Sequence, residues 1–130
     1  MMKRCLAFLA LSALLTLILM ACGSTTTSNS TSGGASEVHA QGVTFVLSSI
    51  TIPKGSTLTL VDDDSTLHII ANGTWVNGRA QPAKEPNAPE VSNVQINGNA
   101  QATIGPFTTA GTFKFYCTIH PGMNLTVIVQ

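Results

Sequence analysis

Charge is scarce in this chain. Six basic and six acidic residues make up 9% of its 130 positions, against about a quarter in an ordinary globular protein. The formal net charge is zero. A neutral chain with so few basic groups cannot pair with many phosphates, so no nucleic-acid partner is expected. Helical periodicity is missing too. Beyond an N-terminal apolar run, no window carries a 3.6-residue apolar stripe, and no internal repeat is visible. Sulfur and imidazole are limited to three Cys, four Met and three His. The length allows one domain, or one domain with a tail, and excludes a large multi-site enzyme. Apolar residues are the abundant class, at 44%, which excludes intrinsic disorder.

These totals divide unevenly along the chain. Lys3 and Arg4 give a positive start. An apolar run over residues 5–20 follows, interrupted only by Ser12 and Thr16, and then Ala21 precedes Cys22. A basic start, an apolar run and a small residue before the cut describe an export signal over residues 1–21. Leu19-Met20-Ala21-Cys22 resembles a bacterial lipobox, which implies that Cys22 becomes the lipidated first residue of the mature chain. An uncleaved membrane anchor is the competing reading, but the run is slightly short of the about 20 residues that span a bilayer. Residues 22–36 read as a flexible Ser/Thr/Gly tether with a reach of roughly 20 Å, and residues 37–130 as the folded domain. The expected location is the outer face of the cell membrane or the periplasm. Removing residues 1–21 leaves Lys54, Arg79, Lys84 and Lys114 against six acidic residues, a formal charge of 4 − 6 = −2. Sulfur is then reduced to Cys22, Cys117 and Met123. With Cys22 lipidated, Cys117 has no disulfide partner, which is unusual for an exported chain.

The domain reads as all-β. Val43, Phe45 and Leu47 alternate with more exposed types, Pro53-Lys54-Gly55-Ser56 is a turn, and residues 57–61 form a strand. Asp62-Asp63-Asp64 reads as a solvated turn before the apolar stretch 67–71. Val94 and Ile96 alternate. The clearest strand is 112–117, with Phe113, Phe115 and Cys117 on one face and Thr112, Lys114 and Tyr116 on the other. Residues 125–129 close the chain. Period-2 alternation punctuated by Gly and Pro is the strand signal, and several short strands in a domain of this size predict a two-sheet β-sandwich. Residues 72–90, with Trp75 and three prolines, are expected to be a long connection between strands, a crossing from one sheet to the other being one course open to it.

The string Cys117-Thr118-Ile119-His120-Pro121-Gly122-Met123 carries the chemistry. It spaces a thiolate, an imidazole and a thioether as C-x2-H-x2-M at the end of a strand. All three are copper ligands, the soft sulfurs favouring Cu(I). A trigonal site of this kind needs a second imidazole from elsewhere, and His68 is available about 50 residues upstream. Zinc accepts Cys and His, but it would not select a thioether, and no fourth hard ligand is evident. A binuclear copper centre would need a second loop cysteine. His39, beside the tether, reads as an exposed residue outside the set.

Residues 111–123 with the closing Thr126-Val127-Ile128-Val129 strand resemble the copper loop of cupredoxins, closest in spacing to amicyanin and its relatives. The Pro53–Leu60 stretch is similar to the early strand pair of that family, and His68 falls where the first histidine ligand stands. The resemblance covers most of residues 42–130. It implies a Greek-key β-sandwich of the cupredoxin type and a single type 1 copper ion held by His68, Cys117, His120 and Met123. It also implies that the chain is not an enzyme but a one-electron carrier with a redox protein as donor and another as acceptor; a monomer is expected, attached to the membrane through the lipid that the lipobox implies. A copper-binding protein for storage, delivery or tolerance would use the same ligands without redox partners. Many cupredoxins carry Asn after the first His, where it ties the two ligand loops. Ile69 stands there in this chain, so either another group makes the tie, Asn72 or an Asp of the 62–64 turn, or the loops are less firmly fixed.

Overall fold

A computed structural model describes residues 36–130. The expected export segment, Cys22 and nearly all of the tether lie outside the described residues. Ten strands follow in order: β1 (Ser36–Gln41), β2 (Thr44–Phe45), β3 (Ser49–Ile52), β4 (Leu58–Asp62), β5 (His68–Val76), β6 (Arg79–Pro82), β7 (Val94–Ile96), β8 (Gln101–Ile104), β9 (Gly111–Cys117) and β10 (Asn124–Val129). There is no helix among the described residues. The strands form two sheets, β2-β1-β4-β8 and β3-β10-β9-β5-β6, with β7 also paired to β5. This is the two-layer all-β sandwich of the Greek-key type that the sequence predicts.

The alternation of β9 and β10 explains why they centre the larger sheet. Phe113, Phe115 and Cys117 are buried from β9, and Leu125, Val127 and Val129 from β10. The opposite layer answers with Val38, Leu58, Leu60 and Ile104. Phe107, fully buried, lies between them, its ring 6.0 Å from Phe113 and 5.9 Å from Phe115. Burying each such ring contributes on the order of 2–3 kcal/mol. The first and third strands of the chain enter their sheets in parallel with later partners, β1 beside β4 and β3 beside β10.

The segment 43–47 is not the strand its alternation predicts. Residues 36–41 take that place in the sheet, and Gly42 turns the chain into an edge strand two residues long. Only Phe45 then reaches the core, while Val43, Val46 and Leu47 are exposed.

The segment 72–90 is not a connection between sheets either. β5 runs on to Val76 and turns through Asn77-Gly78, both at positive φ, into β6. Asn-Gly suits a two-residue hairpin turn because both residues tolerate that backbone region. The chain then returns to β7 against β5, in the same sheet. The crossing to the other sheet comes later, between β7 and β8. Gly73, at φ +132, lets β5 continue where a Cβ would strike the Gln81 carbonyl and the Tyr116 ring. Tyr116 is covered as a result. Expected on the outer face, it is 4% exposed.

The acidic turn keeps Asp63 and Asp64 at the surface as expected, but its carboxyls are bonded and its first residue turns inward. Asp62 is buried. Asp64 accepts hydrogen bonds from the N–H groups of Gly42 and Thr66, and the Thr66 hydroxyl with these N–H groups holds its carboxyl below the ordinary range. Asp63 pairs with exposed His39 on β1, Nδ1 to Oδ1 at 2.8 Å. That bond raises the His39 pKa above its ordinary 6.5, helped by the charges of Asp63 and Glu37 and opposed by desolvation. The folded chain therefore holds this proton more tightly than the unfolded chain. The stabilisation is complete below 6.5 and disappears as pH rises through the folded value. Urea unfolding should show a larger stability gap between the native chain and His39→Gln at about pH 6 than at about pH 8.5; an equal gap at both would contradict the pairing.

Candidate metal centre

His68 opens β5 and Cys117 ends β9, and these neighbouring antiparallel strands pair through Ile70 and Cys117. Period-2 alternation turns Cys117 inward with Phe115, and His68 inward with Ile70. Both ligand candidates therefore emerge at one end of the sandwich, beneath the surface. Thr118–Gly122 then loops out and back. The loop is closed at its base by Cys117 N–H donating to the Met123 carbonyl (3.0 Å) and tightened by Met123 N–H donating to the His120 carbonyl (3.1 Å). Gly122 makes the return at φ +86, a region costly for a residue with a side chain.

One ligand atom each of His68, Cys117 and His120 lies within 4.8 Å of the others. His120 Nδ1 is 3.4 Å from Cys117 Sγ, and the two imidazole rings meet edge to face with centroids 5.1 Å apart. His68 and Cys117 are wholly buried and His120 is half-buried. Met123 is buried in the same loop, three residues from His120. His68, Cys117 and His120 thus meet where β5 begins and β9 ends, and Met123 is buried at the close of the same loop.

Whether this cluster suits a metal can be tested on His68. It is 0% exposed, yet neither ring nitrogen has a hydrogen-bond partner. A buried polar group without a partner costs roughly 1–3 kcal/mol, and an ion on one nitrogen removes that cost there. Burial lowers the His68 pKa, opposed by the Asp62 charge and reinforced by His120. The neutral ring that results is the form that binds a metal. Soft sulfur beside two imidazoles suits copper. Ile69 N–H points at Cys117 Sγ at 3.5 Å, the kind of backbone donor that tunes a metal thiolate.

The tie between the ligand loops is made by backbone. Thr118 N–H donates to the Ile69 carbonyl at 2.7 Å, so the residue after His68 serves through its main chain, where no side-chain amide is available. Asn72 does not make the link. Its side chain accepts from Val91 N–H (2.7 Å) and donates to the Pro89 carbonyl (3.1 Å), which pins the 83–93 segment.

Two contributors, Trp75 and Asn124, were not foreseen, and Asp62 was expected only in a solvated turn or as a tie between the loops. The Trp75 indole N–H donates to the Cys117 carbonyl at 2.8 Å, and its ring meets Tyr116 edge to face at 5.9 Å. Asn124 grips the Trp75 backbone at both ends, accepting from its N–H (2.7 Å) and donating to its carbonyl (3.1 Å). Asp62 Oδ1 lies 3.7 Å from His68 Nε2. The Asn77-Gly78 dipeptide was the signal that could have placed Trp75 on a strand and near the loop. Nothing local announces Asn124 or Asp62.

Residues 33–130 match the family model of copper binding proteins, plastocyanin/azurin family. Among solved structures, amicyanin from Paracoccus versutus (Thiobacillus versutus) is similar at 23% identity and TM-score 0.57, over 75% of this chain and 82% of that one. The reduced Cu(I) form, at pH 4, of an amicyanin mutant aligns at 22% identity and TM-score 0.57, over 75% of this chain and 83% of that one. At these identities the structures establish the shared fold. No curated protein sequence matches the chain.

The Asn124 grip generates a stability prediction. Asn124→Ala leaves the half-buried Trp75 N–H without a partner and its carbonyl with only a long bond from the Thr74 hydroxyl (3.5 Å), and should lower unfolding free energy by about 2 kcal/mol. Urea denaturation measures it, and a loss below about 0.5 kcal/mol would mean that water replaces the amide.

Proposed function

Because the chain belongs to the plastocyanin/azurin family of copper-binding proteins, the cupredoxins, we propose that it is a one-electron carrier whose copper is held by His68, Cys117, His120 and Met123. Copper bound there would supply a Cu(II)/Cu(I) couple. The observation that carries the reading is the meeting of a buried, unpartnered imidazole with a thiol and a second imidazole. Cys117 offers the thiolate, with Ile69 N–H aimed at its sulfur. His68 is locked within the packed end of the sandwich. Met123, the one methionine remaining after residues 1–21 are removed, would offer a weaker sulfur donor. Rigid strands on either side hold the donors where they are, so little rearrangement accompanies a change of charge. Burial keeps water off His68 and Cys117. His120 is half-buried between exposed Ile119 and Pro121, which makes its ring edge the natural port to a redox partner.

The wider setting is part of the same proposal. The chain works outside the cytoplasm as a non-enzymatic monomer, anchored through lipid on Cys22 and free to turn on the Ser/Thr/Gly tether. It exchanges electrons with a donor and an acceptor protein. The support lies in the order of the N-terminal segments and in the unpaired thiol.

Copper titration tests the central reading. The native chain should bind one copper and develop an intense thiolate-to-copper band at about 600 nm, with a reversible potential and rapid self-exchange. Cys117→Ser should abolish the band; colour that persists sinks the ligand assignment, and tight Cu(I) binding with sluggish cycling would favour copper delivery instead. In cells, Cys22→Ser should release the chain from the membrane fraction and change its processing, and unchanged attachment and precursor mass would contradict the anchor.

A further inference from the structure

Asp62 closes β4 in one sheet, and His68 opens β5 in the other. Both side chains are 0% exposed, and Asp62 Oδ1 is 3.7 Å from His68 Nε2. Within the described residues, the Asp62 carboxyl has little else to bond. Oδ1 accepts one long hydrogen bond from Asp64 N–H (3.2 Å), and Oδ2 has no partner. A buried carboxyl so poorly satisfied is costly by itself, and so is the unpartnered imidazole beside it. Each is what the other lacks.

A single metal ion can satisfy only one nitrogen of His68. The other must carry the proton and needs an acceptor, and the nearest one is Asp62. Ligand histidines are commonly oriented in this way by an acceptor on the far nitrogen, which fixes both tautomer and ring angle. The main chain holds Asp62 in place for the task. Its N–H donates to the Ala100 carbonyl at 2.9 Å, and Asp63 N–H donates to the Ala40 carbonyl at 3.0 Å. The ligand residues all belong to the larger sheet and its loop, so Asp62 is the point at which the smaller sheet reaches the centre.

Building on the copper reading above, we infer that Asp62 is a positioning residue for the metal centre. It accepts the His68 Nε2–H, which leaves Nδ1 free for the metal, and its charge on the far side of the His68 ring favours Cu(II) over Cu(I). The pair is a contact between the sheets as well, Asp62 coming from β4 and His68 from β5.

The experiment uses the full chain loaded with copper. Asp62→Asn keeps the shape and an acceptor oxygen while removing the charge. It should retain the visible band and raise the potential, with the Cu(II)/Cu(I) equilibrium shifted about tenfold or more toward Cu(I), equal to about 59 mV for one electron. Asp62→Leu removes the acceptor altogether. In the reduced, diamagnetic protein, proton–nitrogen NMR should show a slowly exchanging His68 Nε2–H in the native chain and fast exchange in Asp62→Leu. If Asp62→Leu does not fold, the Asp62→Asn potential decides alone. A potential that is unchanged or lower in Asp62→Asn overturns the inference while leaving the copper reading intact, and so does a His68 Nε2–H that exchanges slowly in folded Asp62→Leu. A native chain with no Cys117-dependent band overturns both.

Discussion

The interior position of His68 is the constraint around which this domain is organised. An imidazole with both nitrogens unpartnered is an expensive thing to bury, and the fold keeps it at the start of a central strand, against a thiol, a second imidazole and a carboxyl. No rearrangement of the loop alone could relieve it, because Ile70 and Cys117 are locked in register two residues away. The cost is tolerated because the thiol and the second imidazole complete with it a donor set suited to one copper ion.

Rigidity around that point comes from several directions that do not share a sheet edge. The loop is closed by its own backbone bonds between Cys117, His120 and Met123. From the main chain of Ile69 come both the tie to Thr118 and the donor to the Cys117 sulfur. From the β5–β6 hairpin, Trp75 holds the Cys117 carbonyl, and Asn124 holds Trp75. From the opposite sheet, Asp62 stands behind His68. A redox centre benefits from such overdetermination, since an environment that does not relax between oxidation states keeps the cost of moving an electron small.

The copper loop and the strands on either side of it were legible from residues alone. The alternation of Phe113, Phe115 and Cys117 fixes the facing of β9, and C-x2-H-x2-M is too specific to arise from packing needs. The edge of the sandwich was not legible. The alternating segment around Phe45 reads as a strand, but sheet membership depends on who pairs with it, and residues 36–41 pair first. The hairpin after β5 was obscured by prolines that belong to the following segment, although Asn77-Gly78 marked the turn. Asp62 was masked by its own neighbours. Three consecutive aspartates look like a solvated turn, and only the register of β4 against β1 and β8 shows that the first of them points inward. Residues that act on the centre from another sheet leave no local trace, because their role lies in tertiary distance.

X-ray absorption at the copper edge of the loaded native chain addresses the central claim most directly. One short copper–sulfur path with two imidazole nitrogen paths, the sulfur path lost in Cys117→Ser and one nitrogen path lost in His68→Ala, is the result this account predicts. A first shell of nitrogen and oxygen alone, unaltered by either substitution, would place copper elsewhere on the protein and contradict it.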